Sequence, residues 1–413
     1  MGSAGLTRRG FLRGAAGASA AAAVPAVLRG QVPEVKVGAV HPVSGLLARV
    51  GQACRSGAQM AADEVNAAGG LRSLGGARLT LLTGDSETKA EVAQVEAERL
   101  IREGAVILTG AFDSGHTMAM AKVAEERRIP FLIDIAAADH ITRQGYRHVF
   151  RNFPTSGVFG LKAIQFMTDL FAETGVSPRR AVLMHVSDLF GQTQAKSLLN
   201  AHQTLKPPFA IVETIAYPVT TQDLSTEVAK AKAAKPDLLL PITRPRDAVL
   251  LIQELFKQRV EVHAVIGPGS PGLYEPEFVQ QLGKLAEFTM DNVPWHNPRN
   301  PRTAAVTAAF EKRYGKTFDT NSGYAYEAIL IVADALERAR STKPEPLLEA
   351  LQTTNITDHI MVGGPIRFTP QGDNPNASTA LVQILGGRAR VVKPAPFAEA
   401  PVTFPVPRLW ERG

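Results

Sequence analysis

From residue 35 the chain alternates short β-branched runs with amphipathic helical patterns, and this alternation limits its fold more than any other feature. Val35-Lys36-Val37-Gly38-Ala39-Val40 reads as a strand, and residues 57–66 read as a helix stopped by Gly69-Gly70. Leu79-Thr80-Leu81-Leu82 is a second strand and residues 89–103 a second helix. Val106-Ile107-Leu108-Thr109 and Phe131-Leu132-Ile133-Asp134 bracket a third helix over 114–128. Strands joined by helices at this spacing run parallel, because a parallel pair needs a crossover, and such sheets are covered on both faces.

The pattern then starts afresh, with strands over 181–185, 211–215, 238–240 and 262–266 and helices over 159–173 and 247–258. Two α/β units suit 413 residues better than one large sheet. A weaker tail carries helices over 302–314, 324–340 and 344–352, then one strand and a Pro-rich coil from residue 380. The expected fold class is α/β, with two Rossmann-like lobes built on parallel central sheets.

The first 26 residues are of a different kind. Arg8, Arg9 and Arg13 open the segment, Thr7-Arg8-Arg9-Gly10-Phe11-Leu12-Arg13 resembles a twin-arginine export signal, and an Ala-rich stretch leads to Val24-Pro25-Ala26. Cleavage after Ala26 removes three arginines and no acids, leaving 42 basic against 39 acidic side chains, a net +3 in place of +6. That balance points to no nucleic-acid partner. Cys54 is the sole cysteine, so no internal disulfide forms. A soluble periplasmic chain is expected.

Catalytic signatures are absent. No G-x-G-x-x-G joins a strand to a helix, and no G-x-x-x-x-G-K-[ST], G-x-S-x-G or H-E-x-x-H occurs. The nine histidines show no metal-ligand spacing, so neither metal nor cofactor is expected and the chain is read as a non-enzyme. Ligands of open α/β sheets bind outside the carboxyl ends of the strands. Loops of that kind lie over 41–51, 110–116, 135–140 and 242–247. In the last, Pro245 at the first helical position holds Arg244 extended at the end of an apolar strand, a cation where a helix dipole disfavours one. An anion site made by Arg244 and the helix amides accounts for it. Ser114 either caps its own helix or presents its hydroxyl to a ligand carboxylate.

Val35-Lys36-Val37-Gly38-Ala39-Val40-His41-Pro42-Val43-Ser44-Gly45, then Gly51-Gln52 and the run Gly57-Ala58-Gln59-Met60-Ala61-Ala62-Asp63-Glu64-Val65-Asn66-Ala67-Ala68-Gly69-Gly70, closely resemble the start of the branched-chain amino-acid binding proteins of ABC uptake systems, which are type I periplasmic binding proteins. Ile129-Pro130, Gly145-Tyr146, Phe190-Gly191 and Gly267-Pro268 extend the likeness to about residue 385. The resemblance implies two lobes joined by a three-crossover hinge near 151–154, 291–294 and 363–365. The first lobe would take 35–152 and 291–362, and the second 153–290 and 363–400. It also implies a monomer that closes over a small-molecule solute and delivers it to ABC permease subunits. An exported ligand-sensing subunit of a signalling system is the alternative use of the same fold.

The resemblance further implies ligand contacts at Ser114, Ala137, Val50, Phe190, Gly269, Arg244 and Asp134. Here Ala137 stands where a threonine is usual, and Val50 and Arg244 where tyrosines are. Gly269 replaces the acid that grips a ligand ammonium. With that acid gone and a cation added, the expected solute is a small organic acid without an α-ammonium, such as an aromatic or short aliphatic carboxylate, with an amino-acid-like solute as the alternative. Asp134 either faces the ligand or pairs with Arg244 across the closed cleft.

Overall fold

A computed structural model of the chain describes residues 33–412, and the segment read from sequence as an export signal lies outside them. The first sheet has the order β2 (Arg78–Asp85), β1 (Glu34–His41), β3 (Ile107–Gly110), β4 (Phe131–Ile133), β5 (Val149–Arg151), and every pairing is parallel. Helices α1 (Ala48–Ala67), α2 (Ala90–Arg102) and α3 (Ser114–Arg127) provide its crossovers. One face of the sheet packs Leu108, Phe131 and Ile133 with Leu100 of α2 and Val123 of α3, all fully buried.

The second sheet has seven strands. Its parallel part runs β10 (Met290–Val293), β9 (Ala264–Gly267), β8 (Leu238–Ile242), β6 (Arg180–Val186), β7 (Ala210–Tyr217), with α4 (Ser156–Thr174), α5 (Leu189–Leu205), α6 (Ser225–Ala233), α7 (Pro245–Lys257) and α8 (Pro276–Leu282) around it. Every residue of β8 is buried, as a continuous apolar run in a parallel strand requires. The expected single strand after residue 380 is corrected to two, β11 (Ala380–Ile384) and β12 (Ala389–Lys393), paired antiparallel on the β10 edge. Gly386-Gly387, both at positive φ, turn the hairpin.

Helices α9 (Pro301–Tyr314), α10 (Thr320–Ala339) and α11 (Pro344–Gln352) return to the first lobe, where α10 packs along α1. A Cβ at Gly57 would fall 2.0 Å from the Ser322 carbonyl oxygen, so this approach of helix to helix needs glycine.

β10 pairs within the second sheet, so the second crossing follows Val293, inside the expected 291–294, and residues 291–293 go with the second lobe. The third comes later than 363–365, because residues around 372–374 still bond to β5. Arg151 N–H donates to Gly372 O at 2.8 Å, Asn374 N–H donates to Arg151 O at 3.0 Å, and the buried Arg151 guanidinium holds Asp373 at 2.7 Å. Only at β11 does the chain rejoin the second sheet. The second lobe also extends past residue 400, since Val406 N–H donates to His263 O and Arg412 Nη1 to Leu285 O at 3.1 Å. Among the described residues no helix is long and apolar enough to cross a membrane.

Candidate functional site

The carboxyl ends of β3 and β4 in one lobe face those of β6, β8 and β9 in the other, and three helices begin there. α3 starts after Asp113, α5 after Asp188 and α7 after Arg244, each N-cap residue extended. Asp113 Oδ1 accepts from Gly115 N–H at 2.8 Å, and Asp188 Oδ1 accepts from Gly191 N–H at 2.8 Å. Each aspartate turns its other oxygen to Arg244. Nη2 donates to Asp113 Oδ2 at 2.6 Å and to Asp188 Oδ2 at 2.7 Å, and Nε to Asp188 Oδ2 at 3.0 Å.

Arg244 is thus already paired with two carboxylates, and the amides expected to complete an anion site beside it are not free. Pro245 has no N–H to offer an anion, and the N–H of Arg244 donates to Asp247 Oδ1 at 3.0 Å. Asp247 Oδ2 accepts from the Tyr217 hydroxyl at 2.6 Å, and burial pushes this carboxyl up to about 6. Burial works against the charge of Arg244, but Asp188 and Asp113 override it and hold the guanidinium above its ordinary range. Burial likewise works against Asp113, yet Arg244 and then His116 keep its carboxyl below the usual value. The guanidinium carbon lies 4.7 Å from the Phe190 ring centre and 5.9 Å from that of Phe112, within cation–π range.

Beside this cluster the lobes border a narrow, partly open cavity of about 40 Å³. Phe112, Phe153, Phe159, Phe190 and Tyr274 give it aromatic walls, and among the described residues Arg244 is the only charged one lining it. Ala137, Phe190, Gly269 and Arg244, singled out from sequence, all line it. Gly269 sits at φ +121°, and a Cβ there would fall 2.6 Å from the Phe159 ring and 2.5 Å from Gln194 Nε2. A larger side chain at this position has no space in the closed lobes, which accounts for glycine in place of an acid.

Three expected residues lie elsewhere. Asp134 is buried and its carboxylate meets His41 Nε2 at 2.6 Å and the Ile135 N–H at 2.6 Å, so it neither lines the cavity nor pairs with Arg244. Ser114 is the first helical residue, not the cap, and its Oγ accepts weakly from Ala138 N–H at 3.4 Å. Val50 lines a separate groove between α1 and α7. Sequence reasoning missed Asp113 and Asp188, although aspartate between a strand and a helical run is a recognisable N-cap signal. It also missed Tyr274, Thr320 and Asn321, which reach the cavity from α10 and the loop before α8. No titratable cluster among the described residues could hold a metal ion.

The periplasmic binding protein family model matches residues 34–388. The Leu/Ile/Val-binding protein homolog 7 of Brucella suis is 26% identical over 403 residues, covering 93% of this chain and 98% of that protein. The leucine-binding protein LivK of Thermotoga maritima superposes with a TM-score of 0.75 at 21% identity, covering 86% of this chain and 97% of its own. A solute-binding protein of R. palustris, solved in complex with benzoate, gives a TM-score of 0.74 at 22% identity, with 90% and 97% covered.

Proposed function

The chain belongs to the periplasmic binding protein family, and on that premise we propose that it is the exported solute receptor of an ABC uptake system, whose solute is a small organic acid without an α-ammonium. The observation that carries the ligand class is Arg244. Among the described residues it is the only charged one lining the cavity, and its Nη1 makes no hydrogen bond to them, whereas Nε and Nη2 are held in place. A fixed guanidinium whose Nη1 amine is unused is a preorganised charged donor for a carboxylate.

Two carboxylates beside one guanidinium would repel an anion if nothing else were present. Three helix N-termini converge there, each equivalent to roughly half a positive charge, and together they offset the excess. Among the described residues no carboxylate lines the cavity, so a buried ammonium would lack an ionic partner, at a cost of several kcal/mol. Apolar and aromatic walls suit an aromatic or short aliphatic body. Proteins of this fold hold amino acids and benzoate alike, so fold alone does not choose between them.

In this reading solute contacts from both lobes favour the closed state, which the permease recognises, and the solute is released unchanged. The test is a thermal-shift and calorimetric panel of benzoate, phenylacetate, hexanoate, succinate, glutamate, leucine and isoleucine on the mature chain. Stabilisation is expected from acids lacking the ammonium. Stabilisation by leucine or isoleucine alone would overturn the ligand class.

A further inference from the structure

We infer that Asn321 is a specificity-determining residue, whose side-chain carbonyl selects a solute carrying a hydrogen-bond donor, a hydroxyl above all, in addition to its carboxylate. The inference rests on the carboxylate reading of Arg244 and adds a second polar contact to it.

Asn321 lies in the first turn of α10, is 1% exposed and lines the cavity. Its Nδ2 donates to Glu275 Oε1 at 2.8 Å and to Asp319 Oδ2 at 3.3 Å. Ionised carboxylates only accept, so the amide has one consistent orientation: NH2 toward the two acids and Oδ1 away from them. Oδ1 has no hydrogen-bond partner among the described residues, and it is not among the polar atoms sealed from solvent. An acceptor on a largely aromatic cavity wall is costly to leave dry and unmatched when a solute covers it. A solute donor removes that cost, and a solute with only a hydrocarbon surface there does not.

The orientation is itself a product of closure. Asn321 belongs to the first lobe, Glu275 to the second, and the other oxygen of Glu275 is held by Arg49 of α1. Asp319 is tied down by capping α10, its Oδ1 accepting from Ser322 N–H at 2.9 Å. The amide is therefore gripped from both lobes when they meet over the solute. Tyr274, also on the cavity wall and 4% exposed, makes no hydrogen bond through its hydroxyl among the described residues and offers a second polar contact.

The experiment is isothermal calorimetry of the mature chain with benzoate and its three hydroxy isomers, and with hexanoate and 6-hydroxyhexanoate. Wild type, Asn321→Ala and Arg244→Ala are compared. At least one hydroxy acid should bind wild type about tenfold more tightly than its parent, and Asn321→Ala should reduce that ratio to about twofold or less, the loss of the cross-lobe Glu275 contact weakening both acids alike. If Asn321→Ala does not fold, Asn321→Leu, close to asparagine in shape and without an acceptor, carries the same comparison. Parent acids that bind as well as every hydroxy acid, or a preference that survives in the Asn321 variant, would overturn the inference while Arg244→Ala still tests the carboxylate. Binding of no acid, hydroxylated or not, would remove the reading of Arg244 and this inference with it.

Discussion

Asp113 and Arg244 meet at 2.6 Å across the cleft, one from each lobe, and each is the N-cap residue of its own helix. The contact is largely buried, with 6% of the Arg244 side chain and 16% of the Asp113 side chain exposed. Asp113 spends one oxygen on capping α3 and the other on the partner lobe, so closure is read directly by a helix end. Asp188 holds the same guanidinium from within the second lobe. The two aspartates thus do different jobs: Asp188 positions Arg244, and Asp113 latches it.

Replacing Arg244 tests the latch and the ligand site together. Arg244→Ala leaves two part-buried carboxylates without their cation, and solute affinity should fall by about 2 to 5 kcal/mol. Arg244→Lys should recover little, because one ammonium cannot hold two carboxylates and keep an edge for the solute. Calorimetry reads both, and a change within error would remove Arg244 from the site.

The two aspartates are separable. Asparagine caps helices well, so Asp113→Asn and Asp188→Asn should both fold. Asp113→Asn should enlarge the radius of gyration of the unliganded protein in small-angle scattering, because it weakens a cross-lobe pair. Asp188→Asn breaks a pair within one lobe and should leave that radius near wild type. Equal expansion of both variants would contradict the division of roles.

Acid should release the latch. The Asp113 carboxyl is depressed below its ordinary 3.8 despite its burial, through Arg244 and then His116. Its contribution is complete above the ordinary value and is lost as pH falls through the lower folded value. Scattering and melting curves taken from pH 6 downward should show this loss in wild type and its absence in Asp113→Asn.

Glu327 has the opposite sign. It is buried in α10, accepts from Ile360 N–H at 2.8 Å, and burial pushes it from 4.5 up to about 7. Its contribution is fully present below 4.5 and is lost as pH rises through about 7. Glu327→Gln should therefore gain stability relative to wild type by about 1 to 2 kcal/mol between pH 5 and pH 8. Urea titrations at the two pH values measure it, and a constant difference would refute the burial effect.

At Gly269 a single methyl group should be felt. Gly269→Ala places Cβ against Phe159 and Gln194 at a backbone φ of +121°, so about 1 to 3 kcal/mol of stability in the closed form should go, with weaker solute binding. Urea unfolding and calorimetry together distinguish this from a change confined to the binding surface.

Helices and strands followed from local periodicity. The start of α7 is the clearest case, since a proline after Arg244 sets both the helix boundary and the extended arginine, which adopts φ −96° and ψ 167°. The terminal hairpin was less legible: β11 and β12 are five residues each and amount to one apolar run and one mixed one, paired only because β10 offers an open edge. The late third crossing was hidden for a similar reason, as its path depends on the buried Arg151 reaching Asp373, 222 residues away.

The sequence by itself determined the α/β alternation, the two-lobed family and the loops at the strand ends, because these depend on neighbours a few residues apart. Only the tertiary structure decided what Arg244 touches. Its cross-lobe partner lies 131 residues away, and their meeting depends on how far two separately folded lobes have turned toward each other. Burial then sets the charge balance of that meeting, and no local pattern encodes burial.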